Sequence, residues 1–168
     1  MAEAKGSEKP AMKKLIIYGI LLAAAVMVPT RTTELGKLMP VETLAIYQEN
    51  GQVVVETDTG DIGRGVTVSK AIENLKDTTA GIIYLDTADY LVIMHGGEPF
   101  VKYLALYLKD SVRICRGDQG IDIGKTASYL SIHTPTVEIK DYREGMELEN
   151  LRVEQGRLLL DEIKSRKT

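Results

Sequence analysis

LAIYQENGQVVVET, Leu44 to Thr57, is the stretch whose reading decides the fold. Two runs rich in β-branched and aromatic residues flank Asn50-Gly51, the strongest short hairpin signal because both residues tolerate positive φ. Antiparallel strands are expected near 43–49 and 52–58. The loop TGDIGRG (59–65) follows, and then the period changes. Val68, Ala71, Ile72 and Leu75 fall at i, i+3, i+4 and i+7, while Lys70, Glu73, Lys76 and Asp77 take the other face. That spacing predicts an amphipathic helix over about 67–79, capped by Thr67 and closed by Gly81.

Further along, IIYL (82–85) and YLVIM (90–94) are apolar runs bounded by Asp86-Thr87-Ala88-Asp89 and by Gly96-Gly97, as buried strands are. A second helix is expected from about Glu98 and Pro99, with Val101, Leu104, Ala105 and Leu108 on one face. SVRIC (111–115) reads as another strand. After the turn RGDQGID, Asp122 is expected to cap a third helix carrying Ile123, Ala127 and Leu130 and ending before Pro135. The order ββαββαβα makes the fold class α+β, mixed α/β: one domain over 41–135 with a mixed sheet and helices packed on it. TVEIKDY (136–142) is equally compatible with a short strand and with the first turns of a helix. In ELENLRVEQGRLLLDEIK (147–164), Leu148, Leu151, Leu158, Leu159 and Ile163 stand at roughly helical spacing, with Gly156 as a weak point. The extension 136–168 is therefore expected to be mostly helical. Its C-terminal helix would dock on its own domain or, less simply, hold a partner.

Ahead of the domain, residues 1–14 form a basic tail with Lys5, Lys9, Lys13 and Lys14, and 15–30 is the uncharged run LIIYGILLAAAVMVPT. Its length suits a signal-peptide core, yet Tyr18 and the flanking lysines, which can sit at the interface, favour an uncleaved single-pass transmembrane anchor, and the absence of a polar stripe speaks against a buried core helix. By the positive-inside rule the tail stays in the cytoplasm, and a tether (31–40) leads to an extracytoplasmic domain. The expected localisation is the cell membrane.

Composition narrows the function classes. A net charge of −3 with a pI near 5.5 supplies no basic field, so nucleic acid is not an expected partner. Cys115 is the only cysteine, which rules out an internal disulfide. Cys115 with His95 or His133 would be the one conceivable nucleophile and base pair, but no cysteine-hydrolase signature surrounds it, and a thiol in a strand is usually a small apolar side chain. The two histidines lack spaced partners and do not make a metal site. Gly60-Asp61-Ile62-Gly63-Arg64-Gly65 is out of register for a phosphate loop, and its glycines are expected to serve a strand-to-helix turn. Asp118 and Asp122 lack the alternating acids of a calcium loop. No catalytic, cofactor-binding or metal-binding residue is assigned, and no cofactor is expected.

From about Pro40 to Ala127 the segments LAIYQENGQVVVETDTG, GVTVSKAIENLKDTTAGIIYLDTADYLVIM and FVKYLALYLKDSVRICRGDQG resemble the N-terminal domain of the Ger(x)C family, the membrane-attached subunits of spore germinant receptors. The resemblance implies a reduced, single-domain relative from Firmicutes, anchored by a helix where the family carries a lipidated cysteine. It implies a non-enzymatic protein acting in an assembly, and it brings no catalytic residues. The expected function is protein or envelope binding, with a protein partner or self-association. A Cys115 envelope hydrolase and a small-molecule sensor domain are the alternatives.

Overall fold

The computed structural model describes residues 38–161 together with Tyr18 and Ile163. The chain divides into two compact units, Met1–Leu35 and Gly36–Thr168, and the fold below belongs to the second. Apart from Tyr18, the expected anchor at 15–30 lies outside the described residues, as do the basic tail and most of the tether. Among the described residues no helix is long and apolar enough to cross a membrane.

The Asn50-Gly51 hairpin forms as read. β1 (Leu38–Pro40) precedes β2 (Thr43–Glu49), which pairs antiparallel with β3 (Gln52–Thr57) across a turn in which Asn50 and Gly51 take φ of 50° and 77°. β4 (Ile62–Gly65) extends this flank, then come α1 (Val68–Thr78), β5 (Ile82–Tyr84) and β6 (Tyr90–Ile93). A 3₁₀ turn at Glu98–Phe100, α2 (Val101–Leu104) and a second 3₁₀ turn at Ala105–Tyr107 make one short helical segment before β7 (Arg113–Gly117). α3 (Thr126–Ile132), β8 (Asn150–Glu154) and β9 (Arg157–Asp161) complete the chain. The main sheet has seven strands in the order β4-β3-β2-β6-β7-β8-β9, so the fold is a mixed α+β one. β2, β6, β7 and β8 run parallel, while β3, β4 and β9 are antiparallel to their neighbours.

The core lies on both faces of this sheet. On one, α1 sets Val68, Ala71, Ile72 and Leu75 against Leu44, Ile46, Val53 and Val55, and the α2 segment adds Val101 and Leu104. On the other, Ile123 and Leu130 cover Ala45, Val92, Cys115 and Leu151. Each fully buried aliphatic side chain contributes about 1.5–3 kcal/mol. α1 starts as expected, with Thr67 accepting from Lys70 N at 3.3 Å. It ends at Thr79, whose extended backbone (φ −76°, ψ 138°) stops the helix before Gly81 is reached.

Four expectations are corrected. The 59–65 segment is not a plain loop, because Ile62–Gly65 is a strand. Its glycines exist for packing: a Cβ at Gly63 would sit 2.1 Å from Ala71 O, and one at Gly65 2.5 Å from Ala71 N, so only bare backbone lets α1 lie this close to β4. The end of the tether is structured, since Leu38–Pro40 pairs in parallel with Ile82–Tyr84. That strand, read from IIYL, therefore stands in a separate two-stranded sheet.

The largest correction concerns the C-terminal helix. Residues 150–161 form a β-hairpin, and the mostly helical extension 136–168 is replaced, over the described residues, by a 3₁₀ turn at Ile139–Asp141 and this hairpin. Gln155 and Gly156 take φ of 51° and 76°, both unreachable inside a helix, so the helical weak point is the turn itself. Only Asn150 and Leu151 of β8 pair with β7, opposite Arg116 and Gly117. The rest of the hairpin therefore overhangs the carboxyl edge of the sheet.

Candidate functional site

The chain leaves β2 toward β3 and β4 on one side and returns to place β6 on the other. Clefts in open α/β sheets form beyond the carboxyl ends of strands at such a reversal. Here that edge carries an open cavity of about 950 Å³ lined by His95, Glu98, Arg116, Asp118, Glu144 and Asn150 among others. A smaller neighbour of about 390 Å³ shares Met94, His95 and Gln119 with it and adds Tyr47, Glu49 and Glu56.

Backbone makes the floor. A Cβ at Gly97 would sit 2.3 Å from Ile46 O and one at Gly117, the last residue of β7, 2.4 Å from Val92 Cγ1, so bare backbone lets the turn after β6 and the end of β7 pack this closely. Gln48 N donates to His95 O at 3.1 Å and Asp118 N to Leu151 O at 3.1 Å, which ties the rim loops to β2 and β8.

The polar side chains engage one another. Arg116 Nη2 meets Glu98 Oε1 at 2.5 Å, and Asn150 Nδ2 donates to Asp118 Oδ1 at 3.2 Å. Arg116 Nε and Tyr142 Oη are buried without a hydrogen-bond partner. Burial first, then the Glu98 charge, pushes the Tyr142 hydroxyl above its ordinary pKa, while Arg116 pulls it back. In the smaller cavity Tyr47 Oη donates to Glu56 Oε2 at 3.1 Å; burial and then the Glu56 charge raise that phenol from 10.0 to about 12. The described lining of the larger cavity offers the carboxylates of Glu98, Asp118 and Glu144, the amides of Gln119 and Asn150, the His95 imidazole and the Arg116 guanidinium.

Of the residues singled out from sequence, His95 and Asp118 line the larger cavity together, while Cys115, His133 and Asp122 stand apart from it. Cys115 sits in mid-β7 opposite Val92 at 0 % exposure. Burial first, then the Glu149 charge, pushes its thiol from 9.0 up to about 12. A thiol of that kind is an inert core group. His95 is exposed on the cleft rim, whereas His133 closes α3 with its ring stacked on Tyr129 at 4.4 Å. Asp118 bonds Asn150, and Asp122 pairs with Lys125 at 2.7 Å before a 3₁₀ turn at Ile123–Lys125 that leads into α3. The Lys125 hydrogen bond holds the Asp122 carboxyl below its ordinary pKa. Among the described residues no three His, Cys, Asp or Glu side chains gather as a metal site.

Sequence reading missed Glu98, Arg116, Tyr142 and Glu144. The usable signal was the pair of strand-ending glycine turns, since Gly96-Gly97 and Gly117 mark where two parallel strands stop side by side. A second feature, invisible in the sequence, is an apolar groove of about 470 Å³ between the start of α1 and the α2 segment, lined by Val66, Phe100, Tyr103, Leu106 and Tyr107. Val66 is 74 % exposed, Tyr103 51 % and Leu106 81 %.

No protein-family model, curated protein or solved structure matches this chain.

Proposed function

We propose that the chain is a membrane-anchored, extracytoplasmic and non-enzymatic domain that binds a partner protein or envelope component. The observation that carries this reading is the apolar groove: large side chains gathered and left exposed at one place on a small domain mark interaction surfaces more often than chance exposure does. The uncharged run 15–30 with its basic flank supports the location. The segment pattern over 40–127 supports a relation to the Ger(x)C N-terminal domain and, through it, a place in germination or sporulation assemblies.

The test uses the full chain in its native membrane, with a photo-crosslinking residue at Leu106 or, as control, at Lys76. Capture of a discrete protein from Leu106 alone, lost on Val66→Glu, is the expected outcome. Equal labelling at both positions would count against the groove, and a C-terminal reporter found in the cytosol would overturn the location.

The carboxyl-edge cleft favours a second reading as a small-molecule sensor, because Arg116 Nε and Tyr142 Oη retain unused hydrogen-bonding capacity beside it. A polar ligand of the cleft raises the melting temperature of the native chain and not of Arg116→Ala. The Cys115 hydrolase gains no support, since its thiol is shut inside the core.

A further inference from the structure

The two edges of the main sheet are finished differently. At β4 the outward Arg64 N–H donates to Asn74 Oδ1 of α1 at 2.9 Å, and that helix lies over the strand. At the other end, among the described residues, no strand pairs with the outer side of β9.

Backbone parity shows which groups of β9 face out. Leu151 O accepts from Asp118 N, so the polar groups of Leu151 point toward β7 and away from its β9 partner Leu160. Leu160 N–H accordingly points off the sheet, where it donates to Tyr129 Oη at 3.0 Å. Alternation along a strand then turns the N–H and C=O of Leu158 outward too, while Arg157, Leu159 and Asp161 spend theirs on β8.

The strand reads Arg-Leu-Leu-Leu-Asp, which is charge-complementary to its own reverse. We propose that β9 is a self-association edge on which two copies of the chain pair antiparallel about a two-fold axis through Leu159. In this register Leu158 and Leu160 of one copy exchange backbone hydrogen bonds with Leu160 and Leu158 of the other, matching the outward parity. At both ends of the contact Arg157 stands directly across from the second copy's Asp161, whose carboxylate also pairs with Arg152 of its own chain at 2.9 Å. The Leu159 side chain, 37 % exposed in the single chain, meets its own counterpart on the axis. A shift of the axis to Leu158 or Leu160 would set Arg157 or Asp161 against a leucine, so the charges select one register. Tyr129 is the built-in competitor, because its hydroxyl must release Leu160 N–H before the second strand can dock.

Neither the membrane anchor nor the apolar groove enters this argument. Five residues of edge bury less surface than the roughly 800 Å² per partner of a stable complex, so a covalent trap reads the association better than sizing does.

The experiment is mild oxidation of the full chain carrying Leu159→Cys, with Arg157→Cys and Asp161→Cys as controls; the only native cysteine is buried. Cα atoms of a non-hydrogen-bonded antiparallel pair stand about 4.5 Å apart, inside the disulfide range, whereas either control places like positions about 13 Å apart. Leu159→Cys is expected to give a linked dimer and each control little, while Arg157→Cys and Asp161→Cys chains mixed together link to one another. Crosslinking at Leu159 no greater than in the controls overturns the proposal. A charge change at Arg157 gives an independent readout, since Asp161 is held by Arg152 of its own chain at 2.9 Å and is left untouched. Arg157→Glu is expected to weaken association roughly three- to tenfold at an unchanged melting temperature. Association equal to that of the native chain overturns the register, and Tyr129→Phe is expected to raise the linked fraction.

Discussion

The β2–β3 and β8–β9 hairpins share one turn geometry and differ in almost everything else. Asn50-Gly51 and Gln155-Gly156 have φ values within a degree of each other, 50° and 77° against 51° and 76°. Yet the first hairpin is sunk in the sheet with α1 laid across it, whereas the second pairs with the body through Asn150 and Leu151 and projects past the carboxyl edge. A tight turn fixes register and nothing more. What lies on the strands decides whether a hairpin becomes scaffold or is left presenting an edge.

The comparison is broken most severely at β4. Gly63→Ala forces a methyl against Ala71 O and should cost about 3 kcal/mol, seen as a large fall in the thermal midpoint. Leu159→Ala on the overhanging hairpin should change stability by less than about 0.5 kcal/mol. If the two substitutions cost the same, the contrast between scaffold and edge is wrong.

Next in size is an alkaline effect confined to the body of the domain. A thiol whose folded pKa is raised holds its proton more tightly in the native state, so its contribution is complete below the ordinary 9.0 and is lost as pH climbs toward about 12. Tyr47 acts in the same sense between 10.0 and about 12. For Cys115 the loss is on the order of 2 kcal/mol near pH 10.5. Denaturant midpoints followed from pH 8.5 to 10.5 should fall, and Cys115→Ala should flatten the decline; an unchanged slope in that variant would refute the assignment.

Turn substitutions sharpen the likeness between the hairpins. Gly51→Ala and Gly156→Ala each place a Cβ at positive φ and should cost about 1 kcal/mol. The smallest effect tests the one difference between the turns. Gln155→Asn should stabilise by about 0.5 kcal/mol and Asn50→Gln should destabilise by a similar amount, because asparagine accepts the left-handed region more readily.

That last residue explains why one hairpin was legible and the other was not. Asn-Gly declares itself, whereas Gln-Gly inside a leucine-rich, charged stretch carries a helical composition, and Leu148, Leu151 and Leu158 fit a helical stripe by accident. The deciding signal was the period-two pair Leu158 and Leu160, which was outweighed by the longer pattern. α1 was readable because its buried positions keep strict helical spacing. β4 was not, since a strand containing two glycines looks like a loop until the helix it accommodates is known. The cleft was only half legible: its glycine turns stand in the sequence, but the meeting of Glu98 with Arg116 depends on which strands become neighbours.

Having one cysteine, and that one sealed in the middle of β7, gives the molecule its own gauge of opening. An alkylating reagent can reach it only while the sheet is parted, so the rate of labelling in intact cells counts excursions from the native state with no probe added. In an oxidising compartment the same feature has a harsher side. Two chains caught open together would be welded through Cys115 and could not close again, which makes slow unfolding a condition of long service there.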